Sequence, residues 1–410
     1  MKIYGGNGHR VKNSGRNSAS ERTAYTGRDN IKKPDNGHNN IELQNNSRSV
    51  PQKKGSAGKA FLTVFLVIAF IVGGAYAYWK ITTKPPEVDT QGGNENGQTD
   101  NKDTTPNVVD TPTREIGRYY TILVVGKDQI QSNTDTIMVA RYDAVEHKVN
   151  VVSIPRDTLV NVSWPLKKIN TIYFRDNGGI EALMDGVKDI LGFRPDSYVV
   201  VDTNIFEKVI DTLGGVYFDV PVDMNYDDPE QNLSIHIPKG YQWLNGENAL
   251  KVFRYREGYA MADIDRLEVQ HNLIKACAEQ MLKLNNIDKL LAAAKIVSDN
   301  AETNLTYGNL QWYAQEFLKM SMENISIVTI PANYSCSVRN VSYVSINVDE
   351  WIAMVNESLN PLKQPIKPED CNILYQITPD ASYDPVPENY AVTNGGEVAG
   401  GLNSFFKGKR

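Results

Sequence analysis

Apolar and polar positions fall into a strand rhythm between Thr121 and Ile154. Three apolar runs, Thr121 to Val125, Thr136 to Ala140 and Lys148 to Ile154, read as strands. Each meets charged groups at one end: Lys127 and Asp128, then Asp135, then Arg156 and Asp157. Strands of this kind carry acids and an arginine to one rim, and the crevice at strand ends is where open α/β sheets bind ligands. Residues 162–179 read as loop. The spacing then predicts a helix over 180–191, a strand over 198–201, a helix over 204–213 and a strand over 216–220. Further helices are expected over 245–256, 266–284, 287–299, 307–320 and 348–359, with a strand over 325–330. The alternation predicts an α/β class, a layered α-β-α domain with a central mixed sheet.

The ends lack this pattern. Residues 1–59 are rich in Asn, Gly, Ser, Lys and Arg, with twelve basic residues against four acidic ones. They read as a disordered basic tail, since such a segment buries too little apolar surface to fold. Ala60 to Trp79 is uncharged throughout. At 1.5 Å per residue it spans roughly 30 Å, which predicts a single transmembrane helix. The basic excess before it puts the N-terminus in the cytoplasm and the bulk of the chain outside the cell membrane. Residues 80–117 read as a flexible extracellular linker, 118–359 as the folded domain, and 360–410 as a largely disordered C-terminal extension.

The 410-residue chain has a net charge of -6 despite the basic tail, so the remainder is acidic, which argues against a general nucleic-acid binder. Cys277 lies in a helical pattern and reads as a small buried hydrophobe. Cys336 and Cys371 stand in turn-rich sequence outside the membrane, where a disulfide closing a loop of about 35 residues is permitted. No CxxC, HExxH, GxSxG or phosphate-binding glycine loop occurs. His271, on the long helix, reads as a partly exposed or core residue and not as a catalyst.

The remaining chemistry lies in arginines and carboxylates. Arg156, Arg254, Arg256 and Arg266 stand near element ends, and arginine suits phosphate because its planar fork binds two oxygens at once. Asp128 and Asp135 form a carboxylate pair that could hold Mg²⁺ together with phosphate oxygens; the bland alternative is a pair of turn-capping residues. Asp157 is expected to orient Arg156.

The runs GKD at 126–128, TDT at 134–136, SIPRDT at 153–158, KIN at 168–170, LGGV at 213–216, LNGENAL at 244–250, FRYR at 253–256 and DIDRLEVQ at 263–270 resemble the LytR-CpsA-Psr family. The resemblance implies a phosphotransferase that moves a teichoic acid or capsular polysaccharide from an undecaprenyl pyrophosphate carrier to peptidoglycan. It also implies Asp128 and Asp135 as Mg²⁺ ligands, Asp135 and Arg156 as catalytic residues, and Arg156, Arg254, Arg256 and Arg266 as a pyrophosphate clamp joined by Lys168 and Gln270. Two departures stand out: Val269 precedes Gln270 where the family commonly has arginine, and Asn133-Thr134 precedes Asp135 where it often has arginine and serine. Two other classes stay open. An anchored binding protein for polyprenyl-linked or anionic wall polymers would need the arginines without the metal pair. A type II glycosyltransferase would draw on the seven Asn-x-Ser/Thr sequons from Asn161 to Asn356.

Overall fold

The β-branched runs between 121 and 154 form the middle of a six-stranded sheet in the computed structural model. The structure describes residues 68–74, 77, 79–88, 113–127, 134–229, 233–257, 263–338, 341–376 and 390–393. In chain order, β1 (Tyr119–Lys127), β2 (Thr134–Asp143) and β3 (Lys148–Ser153) precede α1 (Ile180–Leu191), β4 (Ser197–Asp202) and α2 (Thr203–Leu213). Four short strands follow: β5 (Val216–Val220), β6 (Met224–Asp228), β7 (Leu233–Ile237) and β8 (Gly240–Leu244). Next come α3 (Gly246–Arg254), α4 (Asp263–Leu284), α5 (Ile287–Asn300), β9 (Glu302–Thr303), α6 (Tyr307–Phe317) and β10 (Ile325–Thr329). The chain closes with β11 (Ala332–Val338), β12 (Val341–Ile346), α7 (Val348–Met354), β13 (Leu374–Gln376) and β14 (Tyr390–Val392).

The main sheet runs β10-β3-β2-β1-β4-β9. β2 lies antiparallel to β1 and β3, whereas β4 runs parallel to β1 and β10 parallel to β3, so the sheet is mixed. Leu123 and Val125 of β1 are fully buried in one cluster with Leu183, Val187 and Ile190 of α1 and with Trp351 and Val355 at the α7 end. Val124 faces the other way, into a cavity shared with Phe206 of α2, Phe253 of α3 and Ile274 of α4. Period-two alternation thus gives the sheet two apolar faces, and helices cover both. A second cluster joins β5 to β8 with α2, α3 and α4.

Several expectations need correction. β6, β7, β8, β11 and β12 occupy stretches to which the sequence pattern assigned no element. The domain also reaches past 359: Ile366, Cys371 and Ile373 are buried in the main core, and β13 pairs with β14. It begins before 118, because Arg114 is buried against Asp196 and bridges to Leu362. Residues 82–86, assigned to the linker, pack on α6: Asn309 donates to the Lys84 carbonyl at 2.9 Å, and Pro86 is buried. No disulfide forms among the described residues. Cys336 packs with Leu159 and Tyr343, while Cys371 lies in the main core.

Of the expected membrane span, 68–74, 77 and 79 are helical and exposed, and the other positions lie outside the described residues. No helix among the described residues is long and apolar enough to cross a membrane.

Candidate functional site

Asp135 owes its position to an irregularity in the β1–β2 ladder. Gly126 pairs with Thr136 and Lys127 with Thr134, so Asp135 is the extra residue of a β-bulge. Bulges re-aim a side chain that the regular pleat would send elsewhere. Gly126 lies close opposite: a Cβ there would sit 3.0 Å from the Cβ of Thr136. Lys127, at the end of β1, places its ammonium 6.0 Å from the Tyr173 ring centre. Asp128 lies outside the described residues.

Arg156 comes from the turn after β3. The Thr158 hydroxyl and amide both bond the Pro155 carbonyl, at 2.6 and 3.0 Å, and the Asn170 amide donates to the Arg156 carbonyl at 3.2 Å. Held so, Arg156 Nη1 lies 2.8 Å from Asp135 Oδ1. Asp157 does not orient Arg156, as had been expected. It pairs with Lys168 (2.9 Å), whose ammonium also lies over the Tyr343 ring. The reason is local pairing of the two segments, since Leu159 bridges to Lys168 and the Ile169 amide bonds the Thr158 carbonyl.

The second pair of arginines ends α3. The helix stops at Tyr255, an extended residue whose buried ring anchors the chain. Arg254 and Arg256 flank it. Arg256 Nη2 reaches Asp135 Oδ1 at 3.3 Å, so one carboxylate oxygen serves two guanidinium groups. Arg254 and Asp135 line one apolar cavity of about 200 Å³, walled by Val124, Met138, Val201, Phe206, Phe253 and Ile274. Asp202, also on this wall, caps α2 by accepting from the Ile205 amide.

α4 contributes buried polar groups. Arg266 is 4% exposed. Gln270, one turn later and a member of the expected substrate site, donates its amide to the Phe253 carbonyl at 3.0 Å, tying α4 to the last turn of α3. Gln270 therefore positions Arg254 through the backbone. Val269 packs in the second cluster. His271 is a core residue. Its Nε2 lies 2.7 Å from the Ser153 hydroxyl, and burial, with a smaller effect of Lys275, lowers its pKa to about 4.

The structure thus joins Asp135, Arg156 and Arg256 directly, sets Arg254 and Lys127 on the same cavity, and puts Lys168 on the adjoining Asp157. Sequence reasoning left out Lys127, although the GKD run ends the strand at that rim. No cluster of three or more potential metal-ligating side chains occurs among the described residues.

The model of the LytR_cpsA_psr family matches residues 86–360. The chain is 33% identical over 198 residues to an uncharacterized protein of Staphylococcus aureus, covering 48% of each. It is 30% identical over 262 residues to the regulatory protein MsrR of S. aureus, covering 62% of this chain and 75% of that one. It is 31% identical over 205 residues to the polyisoprenyl-teichoic acid–peptidoglycan teichoic acid transferase TagV of Bacillus subtilis, covering 48% and 52%. The chain therefore spans about half the length of the first and third of these relatives. The crystal structure of TagV superposes with a TM-score of 0.50 at 27% identity, over 59% of this chain and 97% of TagV.

Proposed function

The chain belongs to the LytR_cpsA_psr family, and from that premise we propose that it transfers an anionic cell-wall glycopolymer from an undecaprenyl pyrophosphate carrier to peptidoglycan. The observation that carries this reading is a carboxylate, Asp135, bonded to two arginines at an apolar cavity that Arg254 also lines. Pyrophosphate on a polyprenyl chain has the matching form, an anionic head on an apolar tail.

In this reading an acceptor hydroxyl attacks the phosphorus next to the sugar, the bond to the bridging oxygen breaks, and polyprenyl phosphate leaves. Phosphoryl transfer asks mainly for positioning and charge stabilisation. Arg156 and Arg256 orient the phosphate oxygens through their planar forks, Arg254 and Lys127 add positive charge beside the cavity, and the apolar wall holds the first isoprene units away from water. The hydroxyl proton is lost late in a loose transition state, so it can pass to a phosphate oxygen or to water.

Mg²⁺ fits this donor set, because both arginine contacts use Oδ1 of Asp135 and a carboxylate has a second oxygen. Asp135, with Asp128, would hold the ion beside substrate oxygens. When bound, it supplies further neutralisation of the pyrophosphate.

The test is release of polyprenyl phosphate from a short-chain lipid pyrophosphate glycoside, with acceptor, with and without Mg²⁺. Asp135→Asn should keep donor binding and lose on the order of a hundredfold to a thousandfold in turnover. No turnover by the wild type, together with full complementation of a deletion strain by Asp135→Asn, would replace the transferase by an anchored binding protein.

The same reading puts residues 1–59 in the cytoplasm, the span 60–79 in the cell membrane and the domain outside. Protease added to intact cells should remove the domain and spare an N-terminal tag; a protected domain would exclude a wall acceptor.

A further inference from the structure

β5 and β8 form an antiparallel ladder in which Tyr217 faces Trp243 and Asp219 faces Tyr241. Alternation buries Val216, Phe218 and Val220 and turns Tyr217, Tyr241 and Trp243 to the outer face. These rings are 54%, 73% and 51% exposed, and the two tyrosines stack with centroids 5.8 Å apart at 17°. They are also held in place. Trp243 Nε1 donates to the Gly214 carbonyl at 3.1 Å, and Gly215, at φ +76°, lets the indole lie against the backbone where any Cβ would collide with it. Gln280 of α4 donates to the Gly215 carbonyl at 2.7 Å and accepts from the Tyr217 amide at 3.2 Å, locking the ladder to the helix.

Between ladder and helix runs an open groove of about 1270 Å³. A rigid, exposed aromatic face beside a large groove marks a binding surface. Its charge selects the partner. Four carboxylates and three lysines line the groove, and Glu279 and Lys283 neutralise each other at 2.6 Å. So balanced a lining offers little to a polyanionic donor polymer or an anionic lipid surface. It suits an uncharged saccharide chain, whose C–H faces lie flat on aromatic rings while its hydroxyls meet Asp219 and Asn272. Asp265, in the groove lining, is the sequence neighbour of Arg266 on α4.

We propose that this groove is the docking site of the acceptor glycan strand, with Tyr217, Tyr241 and Trp243 as its stacking platform; the assignment of the glycan as acceptor rests on the transfer reading above. The full chain should sediment with sacculi stripped of anionic polymers, and an N-acetylglucosamine hexamer should compete. Tyr217→Ala combined with Tyr241→Ala should weaken sedimentation and raise the acceptor KM about tenfold, the scale of one or two lost stacking contacts, with donor binding unchanged. Tyr241→Ala alone, altering a ring mostly in water, should give a smaller loss with an unshifted melting temperature. Wild-type behaviour of the double variant, or no sedimentation of the wild type, overturns the proposal. So does a finding that the two tyrosines support self-association or binding to anionic vesicles instead of glycan. Sacculus binding that depends on the tyrosines, in a protein that never turns over the donor, would defeat the transfer reading and leave the docking site standing.

Discussion

The molecule uses an arginine–aspartate pair in two opposite surroundings. Arg114 and Asp196 have side chains 5% and 2% exposed, and the guanidinium is gripped at two points, one of them Nη2 to Oδ2 at 2.6 Å. The amide and hydroxyl of Thr121 each donate to the same Oδ2 at 2.7 Å, so the carboxylate is saturated. Arg156 and Asp135 are 22% and 23% exposed, and Asp135 Oδ1 is shared with Arg256. One anion there faces two cations beside an open cavity. Burial and saturation make the first pair a fastener between the chain before β1 and the start of β4. Partial exposure leaves the second pair within reach of solvent beside the cavity that Asp135 lines.

Removing the carboxylate from each pair should separate the two most sharply. Asp196→Ala strands the buried Arg114 charge, and breaking such a pair costs about 3 to 5 kcal/mol. Asp135→Ala removes a half-open pair, for which about 0 to 1 kcal/mol is expected. Urea unfolding of both variants measures this, and equal destabilisation would erase the distinction.

A subtler change tests what the open pair is for. Arg156→Lys keeps the charge and loses the two-pronged fork, so turnover of the lipid pyrophosphate should fall about tenfold to a thousandfold. Stability should move by no more than about 0.5 kcal/mol. A lysine that works as well as arginine would mean that charge alone, without geometry, serves the site.

The rim was legible in the sequence because β1, β2 and β3 are apolar runs that each stop at charged residues, and α1, α2 and α4 show helical spacing. What stayed hidden depends on contacts between distant segments. Nothing local marks Asp135 as a bulged residue, and its partner Arg256 lies at the end of a helix far along the chain. The apolar cavity is assembled from β1, β2, β4, α2, α3 and α4, so each segment alone shows only one more buried stripe. Gln270 entered the site through the family resemblance alone, and its tie to the Phe253 carbonyl, seventeen residues back, has no local trace in the sequence. Arg114 sat in Thr-, Asn- and Pro-rich sequence that reads as linker, since a single buried ion pair leaves no periodic trace. β7 was readable in hindsight: Leu233, Ile235 and Ile237 alternate with polar residues, but the run is short and flanked by charge.

A buried polar contact of a third kind, in which charge must be absent, completes the contrast. His271 meets Ser153 at 2.7 Å with both residues almost wholly buried, and burial, followed by Lys275, holds its pKa near 4 against an ordinary value of 6.5. The unfolded chain therefore takes up a proton near pH 6.5 and the folded one near pH 4. Between those values the unfolded state binds more protons. Stability contributed by neutral His271 is complete above pH 6.5 and is lost as pH falls toward 4. Allowing for screening by solvent, the loss is about 1 to 2 kcal/mol. His271→Gln keeps a polar group that can reach the Ser153 hydroxyl but has no proton to gain. Urea midpoints from pH 7 to pH 4 should therefore fall less steeply in the variant than in the wild type, and parallel slopes would show that His271 titrates as it does in water.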